Sequence, residues 1–128
     1  MVGIVIVSHS LKLAEGVVDF VREMAKECPI AIAAGRVDGS YGTSLELIES
    51  AIDSVMSGEG VIVLVDMGSS ILTTEMAIET RGTDKVKLAD APLVEGAMAA
   101  SIDSQMGMSM NDILIDLEQI WTERKHDY

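Results

Sequence analysis

Two histidines occur in the chain, His9 and His126, and they stand in very different surroundings. His9 follows Gly3 to Val7 (GIVIV), a continuous apolar run that reads as a strand buried on both faces. Its imidazole therefore sits where a buried strand opens into a loop. Neutral imidazole is nucleophilic near pH 7 and can accept a phosphoryl group on one ring nitrogen. The other nitrogen must then keep its proton and face an acceptor. Asp66, which closes the run Val61 to Val65 (VIVLV), is the natural acceptor if the two strands are neighbours. Gly68, Ser69 and Ser70 follow and open a helix. Helix-opening N–H groups carry partial positive charge and suit a phosphoryl group. Gly68 permits close backbone approach, and the two serines either donate to a phosphate or simply cap the helix. His126 lies in the C-terminal stretch, where chain ends fray.

The elements that must hold these residues alternate between strand and helix. After the first strand comes a helix with Ala14, Val17, Val18, Val21, Met24 and Ala25 on one face, ended by Pro29. Ile30 to Ala34 (IAIAA) is a second strand, followed by the glycine-rich loop Gly35 to Thr43. Thr43-Ser44-Leu45-Glu46 reads as a capping box with Thr43 as the cap, opening a helix that Gly58 and Gly60 end. Val61 to Val65 is the third strand, a helix runs to about Thr80, and Val86 to Ala89 is a weaker fourth strand. Leu93 to about Ser104 is a fourth helix. Ser109 caps a fifth, whose apolar face includes Ile113, Leu117, Ile120 and Trp121 and packs either on the core or on a second subunit.

This alternation predicts an α/β domain of three layers: an open four-stranded parallel sheet flanked by helices. In such sheets ligands bind beyond the C-terminal strand ends. That rule selects Ser8-His9-Ser10, the loop Gly35 to Thr43, and Asp66 to Ser70. Ser10, Asp38, Gly39 and Thr43 are the candidate rim residues, with Asp38 read equally well as a turn residue.

Composition narrows the functions available. The 128 residues fit a single domain spanning 1–128, and 48% apolar content supports a full core. Aromatics are only 3%, so Val, Ile, Leu, Ala and nine Met must build that core or an interface. The formal net charge of −12 repels phosphate backbones and anionic lipids, which argues against nucleic-acid or membrane binding. The lone Cys28 suits a reducing cytoplasm and reads as a small buried residue. No apolar run approaches the ~20 residues of a membrane span, and the N-terminal run lacks the basic flank of a signal peptide. The two distant histidines supply no metal site. Neither a Walker motif nor a dinucleotide fingerprint occurs, so no directly bound nucleotide is expected. The G-x-S-x-G elbow of a serine hydrolase is also absent.

Ile4-Val5-Ile6-Val7-Ser8-His9-Ser10 resembles the active-site strand of mannose-type enzyme IIA domains of the bacterial phosphotransferase system. Further segments are more specifically similar to the phosphotransferase (DhaM) subunits of phosphoenolpyruvate-dependent dihydroxyacetone kinases. They are Ile32-Ala33-Ala34-Gly35, Asp66-Met67-Gly68-Ser69-Ser70 with Leu72 and Glu75 to Glu79, and Ala91-Pro92-Leu93-Val94-Glu95-Gly96. Together they cover Met1 to about Ser101. The resemblance implies strand order 2-1-3-4, a cytoplasmic homodimer, and an active His9 hydrogen-bonded to Asp66. It implies that His9 takes phosphate from the carrier protein HPr and passes it to ADP held in the subunit DhaL. The ATP formed there phosphorylates dihydroxyacetone on DhaK, and this chain binds no cofactor itself. Sugar-transport members usually carry Trp-Gly-Gly-Ser-Pro after the aspartate, where this chain has Met67-Gly68-Ser69-Ser70. Some kinase subunits carry fused HPr-like and enzyme I-like domains; a chain of this one domain is expected to use free HPr. The alternatives are a sugar-transport enzyme IIA, with an enzyme IIB as acceptor, and a regulatory module phosphorylated on His9.

Overall fold

Six consecutive buried residues, Gly3–Ser8, form β1 at the centre of the molecule. The computed structural model describes residues 1–127. The chain continues through α1 (Leu11–Val21), β2 (Ile30–Ala34), α2 (Leu45–Val55), β3 (Val61–Val65) and α3 (Ser69–Arg81). It ends with β4 (Val86–Leu88), α4 (Leu93–Gln105), α5 (Met110–Gln119) and two short 3-10 turns, Ile120–Thr122 and Lys125–Asp127. The four strands are all parallel in the order β2-β1-β3-β4, the architecture expected from the alternation and the resemblance. Among the described residues no helix is long and apolar enough to cross a membrane.

Side chains alternate across a strand, so each central strand feeds two cores. Ile4, Ile6, Ile62 and Leu64 point to one face, against Val17 and Val21 of α1, Ala97 and Ala100 of α4, and Ile113 and Leu117 of α5. Val5, Val7, Val61 and Val63 point to the other, against Ile48 and Ile52 of α2 and Ala77 of α3. Fully burying each Ile or Leu contributes about 1.5–3 kcal/mol. Close approach sets the glycines. A Cβ at Gly3 would collide with the Val55 carbonyl and side chain, and one at Gly96 would come 2.8 Å from Leu64 Cδ2. Gly96 thus lets α4 lie directly on β3.

Three local expectations are corrected. Ser44, not Thr43, caps α2, accepting from the Leu47 N–H at 3.2 Å. Helix α1 stops at Val21, so Met24 falls outside the helical face and is 63% exposed. There the Arg22 guanidinium donates to the carbonyls of Ala25 and Cys28 and closes the turn after α1. Trp121 lies beyond α5, is largely exposed, and donates its indole N–H to the Asp90 carbonyl and carboxylate, 3.0 Å from each.

Asp103 Oδ2 is buried without a hydrogen-bond donor. Burial, together with the adjacent Asp116 carboxylate, pushes the Asp103 carboxyl up to about 7. An acid raised on folding favours the fold while protonated, and that contribution is lost as pH rises from the usual 3.8 through about 7. Asp103→Asn is therefore expected to raise Tm by a few degrees at pH 8 and to leave it nearly unchanged near pH 4, read from thermal melts across that range.

Candidate functional site

The parallel pairing of β1 with β3 sets Val7 beside Val65, so the residues that follow each strand meet at one edge. The Asp66 N–H donates to the Val7 carbonyl at 3.1 Å and fixes the crossing point. The Asp66 carboxylate is then surrounded by donors. Oδ2 accepts from the His9 backbone N–H at 2.9 Å and from Ser8 Oγ at 3.0 Å. Oδ1 accepts from the Met67 N–H at 2.6 Å. His9 Nδ1 lies 3.1 Å from Oδ1 and 3.2 Å from Oδ2. Partial burial pushes the Asp66 carboxyl up, but the His9 and Met67 N–H groups, with the Ser70 and His9 side chains, outweigh it and hold the group at about 2. Asp66 is thus an anion at any physiological pH.

That anion dictates the state of the ring. A carboxylate can only accept, so His9 Nδ1 carries the proton and Nε2 carries the lone pair. Nε2 faces outward and accepts from Ser69 Oγ at 2.9 Å. The His9 side chain is 32% exposed and that of Asp66 only 13%, so the nucleophilic nitrogen is reachable and its partner is shielded. Ser69 Oγ is in turn 2.8 Å from Thr43 Oγ1. Ser70 is fully buried, with Oγ 3.3 Å from His9 Nδ1.

Gly68 precedes α3 at φ +58 and ψ −125, a conformation suited to glycine, and no side chain caps the helix there. Ser69, the first residue of α3, brings the helix N-terminus to Nε2, while the Ser70 and Ile71 N–H groups donate to the Met67 and Gly68 carbonyls. An open cleft of about 400 Å³ continues from this N-terminus, walled by Met67, Ile71, Leu88, Pro92 and Trp121.

The rim candidates separate. Thr43 reaches the imidazole through Ser69. Ser10 caps α1 by accepting from the Leu13 N–H. Asp38 accepts from the Ser40 N–H and hydroxyl, and Gly39 completes that turn at φ +89. The loop they belong to is nevertheless tied to the site by its backbone, since the Gly42 N–H donates to the His9 carbonyl at 3.3 Å. Ser8 lies in the first of the three loops selected from the sequence, which assigns it no role of its own. It is fully buried, donates to Asp66 and accepts from the Ser10 N–H, so it braces the carboxylate from below. A hydroxyl ending an otherwise apolar strand was the available signal. Among the described residues no three His, Cys, Asp or Glu side chains gather to hold a metal ion.

The family described as the PTS system fructose IIA component (EIIA-man) matches residues 3–114. A phosphoryl donor subunit DhaM of a PEP-dependent dihydroxyacetone kinase from Listeria innocua is 36% identical, over 94% of this chain and 99% of its own length. The chain belongs to the DhaM subunits of the EIIA-man family. The DhaM of Escherichia coli is 42% identical over 91% of this chain, which spans only 26% of the length of that relative. The Lactococcus lactis DhaM is 32% identical over 95% of this chain and 98% of its own length. Among solved structures, a protein of unknown function superposes with a TM-score of 0.81 at 29% identity, covering 93% of this chain and 95% of its own. The mannose/sorbose-specific IIA subunit of Enterococcus faecalis shares the fold, with a TM-score of 0.59 at 19% identity over 94% of this chain and 89% of its own. In this DhaM-family chain Ser8, His9, Asp66, Ser69 and Ser70 of the site all lie in segments that carry the resemblance, and Thr43 lies outside them.

Proposed function

We propose that this chain is a phosphohistidine carrier that takes a phosphoryl group from HPr onto His9 Nε2 and passes it to ADP bound to DhaL. The DhaL nucleotide then serves dihydroxyacetone phosphorylation on DhaK. The observation that carries this reading is the orientation of His9: Nδ1 locked on an ionised Asp66, Nε2 turned outward to Ser69 at the N-terminus of α3. The names of the DhaM relatives support the choice of acceptor over a sugar transporter.

The chemistry follows from the ring. The Nε2 lone pair attacks phosphorus, the N–P bond forms, and the bond from phosphorus to the donor breaks with its electrons leaving on the donor. Nδ1 keeps its proton throughout. The positive charge gained by the ring is met by the Asp66 anion a hydrogen bond away. Ser69, displaced from Nε2, is placed to donate to a phosphoryl oxygen, at the positive end of the α3 dipole. In the second transfer an oxygen of the ADP terminal phosphate attacks, and the N–P electrons return to Nε2. Every step conserves protons on this chain, so the carrier is ready for another cycle.

Reconstitution tests it. Phosphoenolpyruvate, enzyme I, HPr, DhaL with ADP, DhaK and this chain are expected to yield dihydroxyacetone phosphate, with no product when this chain is omitted. Equal product with and without it would sink the reading. Ser69→Ala is expected to slow labelling from phospho-HPr by about three- to ten-fold, the cost of one lost hydrogen bond to the transferring group, measured by quenched-flow sampling of labelled protein.

A further inference from the structure

The side-chain relay that runs outward from His9 ends on a residue of a different loop. Thr43 Oγ1, Ser69 Oγ and His9 Nε2 form an unbroken chain with separations of 2.8 and 2.9 Å. Thr43 is half-buried and lies just before the cap of α2; the sequence pattern offered it as that cap, but Ser44 fills the position. Its hydroxyl is therefore spare, and it is spent on Ser69.

A hydroxyl on Nε2 covers the lone pair that must attack phosphorus. Nε2 cannot react while Ser69 donates to it, so Ser69 has to turn away first. Ser69 is exposed, so its proton can turn to water, but Thr43 Oγ1 is an acceptor already fixed 2.8 Å away. We propose that Thr43 is a positioning residue for His9: it offers Ser69 a second acceptor, so that a hydroxyl rotation uncovers Nε2. In the covered state Ser69 donates to Nε2 and accepts from Thr43. In the uncovered state Ser69 donates to Thr43 Oγ1 until a phosphoryl oxygen arrives to take that hydrogen bond, and Thr43 turns its own proton to water. No bond to a heavy atom forms or breaks and no proton is exchanged. The loop that carries Thr43 is held in register with the histidine through the Gly42-to-His9 backbone bond, which keeps the acceptor at hydrogen-bonding distance. This inference rests on His9 being the transfer site, and its test is arranged to separate the two.

The variants are Thr43→Val, which keeps shape and removes the hydroxyl, and Thr43→Ser, which restores it. Thr43→Val is expected to lower kcat for labelling by phospho-HPr about three- to ten-fold with KM for the donor unchanged. Thr43→Ser is expected to recover the rate. In a Ser69→Ala background Thr43→Val should have no further effect, because there is no hydroxyl left to redirect. In the resting, unphosphorylated protein the His9 Nε2 resonance in 15N spectra should move upfield in Thr43→Val, because Ser69 then stays on the ring. Independent, multiplying effects of the two substitutions would overturn the proposal, as would a change in KM alone. An unmoved resonance would overturn it too, and so would a downfield one, which would mean that the bond Thr43 donates in the covered state outweighs the acceptor it offers for uncovering. The resonance needs no phosphate. An upfield move in a protein that HPr never labels would therefore uphold the hydroxyl switch and remove the transfer reading.

Discussion

His9→Ala is expected to abolish acid-labile phosphate on the protein, below about 10⁻³ of the wild-type amount, while changing Tm little. The first half follows from chemistry: among the described residues at the strand ends, only His9 presents a neutral nitrogen lone pair to solvent, on Nε2. The second half follows from how Asp66 is held. Removing the imidazole deletes one of its partners but leaves the Ser8 hydroxyl and the His9 and Met67 amides, all of which His9→Ala retains. The carboxylate thus keeps enough donors to stay satisfied, and the loss should be about 1 kcal/mol. Labelled protein resolved by electrophoresis under alkaline conditions, with a parallel thermal melt, checks both halves. Retained labelling in a folded His9→Ala protein would move the site elsewhere.

Asp66→Asn is the second large effect, and it acts without touching phosphate. The amide has the shape of the carboxylate but presents a donor to Nδ1. The ring then favours the tautomer with its proton on Nε2, which hides the lone pair that must attack. Transfer is expected to fall about 10²- to 10⁴-fold. Stability should fall as well. Asp66 is held at about 2, below the usual 3.8, so its ionised form stabilises the fold above pH 4 and that contribution is lost as pH falls towards 2. The linkage amounts to about 2 kcal/mol at neutral pH. Asp66→Asn should accordingly melt lower at pH 7, with the difference from wild type shrinking near pH 2. A rate within three-fold of wild type would remove Asp66 as the orienting group.

Much of this was legible from residue types alone, for physical reasons. A strand buried on both faces advertises itself as an unbroken apolar run, so β1 and β3 could be read with their closing residues, His9 and Asp66, and the family likeness supplied their adjacency. The failures have local causes. Thr43 and Ser44 are both good caps, and nothing in their order says which one meets the Leu47 amide; the three-dimensional answer freed Thr43 for the site. Trp121 fits the apolar stripe of α5 by spacing, but α5 ends at Gln119, and the indole N–H needs a partner that a dry core lacks. The role of Ser8 escaped because it depends on the distance to a carboxylate 58 residues away, which no periodicity reports. Asp103 was invisible for the same reason: the carboxylate beside it, Asp116, lies on a different helix.

The central claim is that a phosphoryl group resides on His9 Nε2 and leaves for a nucleotide. The direct measurement is 31P NMR of the protein charged by phosphoenolpyruvate, enzyme I and HPr, followed by addition of DhaL carrying ADP. The account predicts one Nε2-phosphohistidine resonance that disappears on addition, with the appearance of ATP bound to DhaL. A resonance that persists in the presence of ADP-loaded DhaL, or one that belongs to Nδ1, would contradict it.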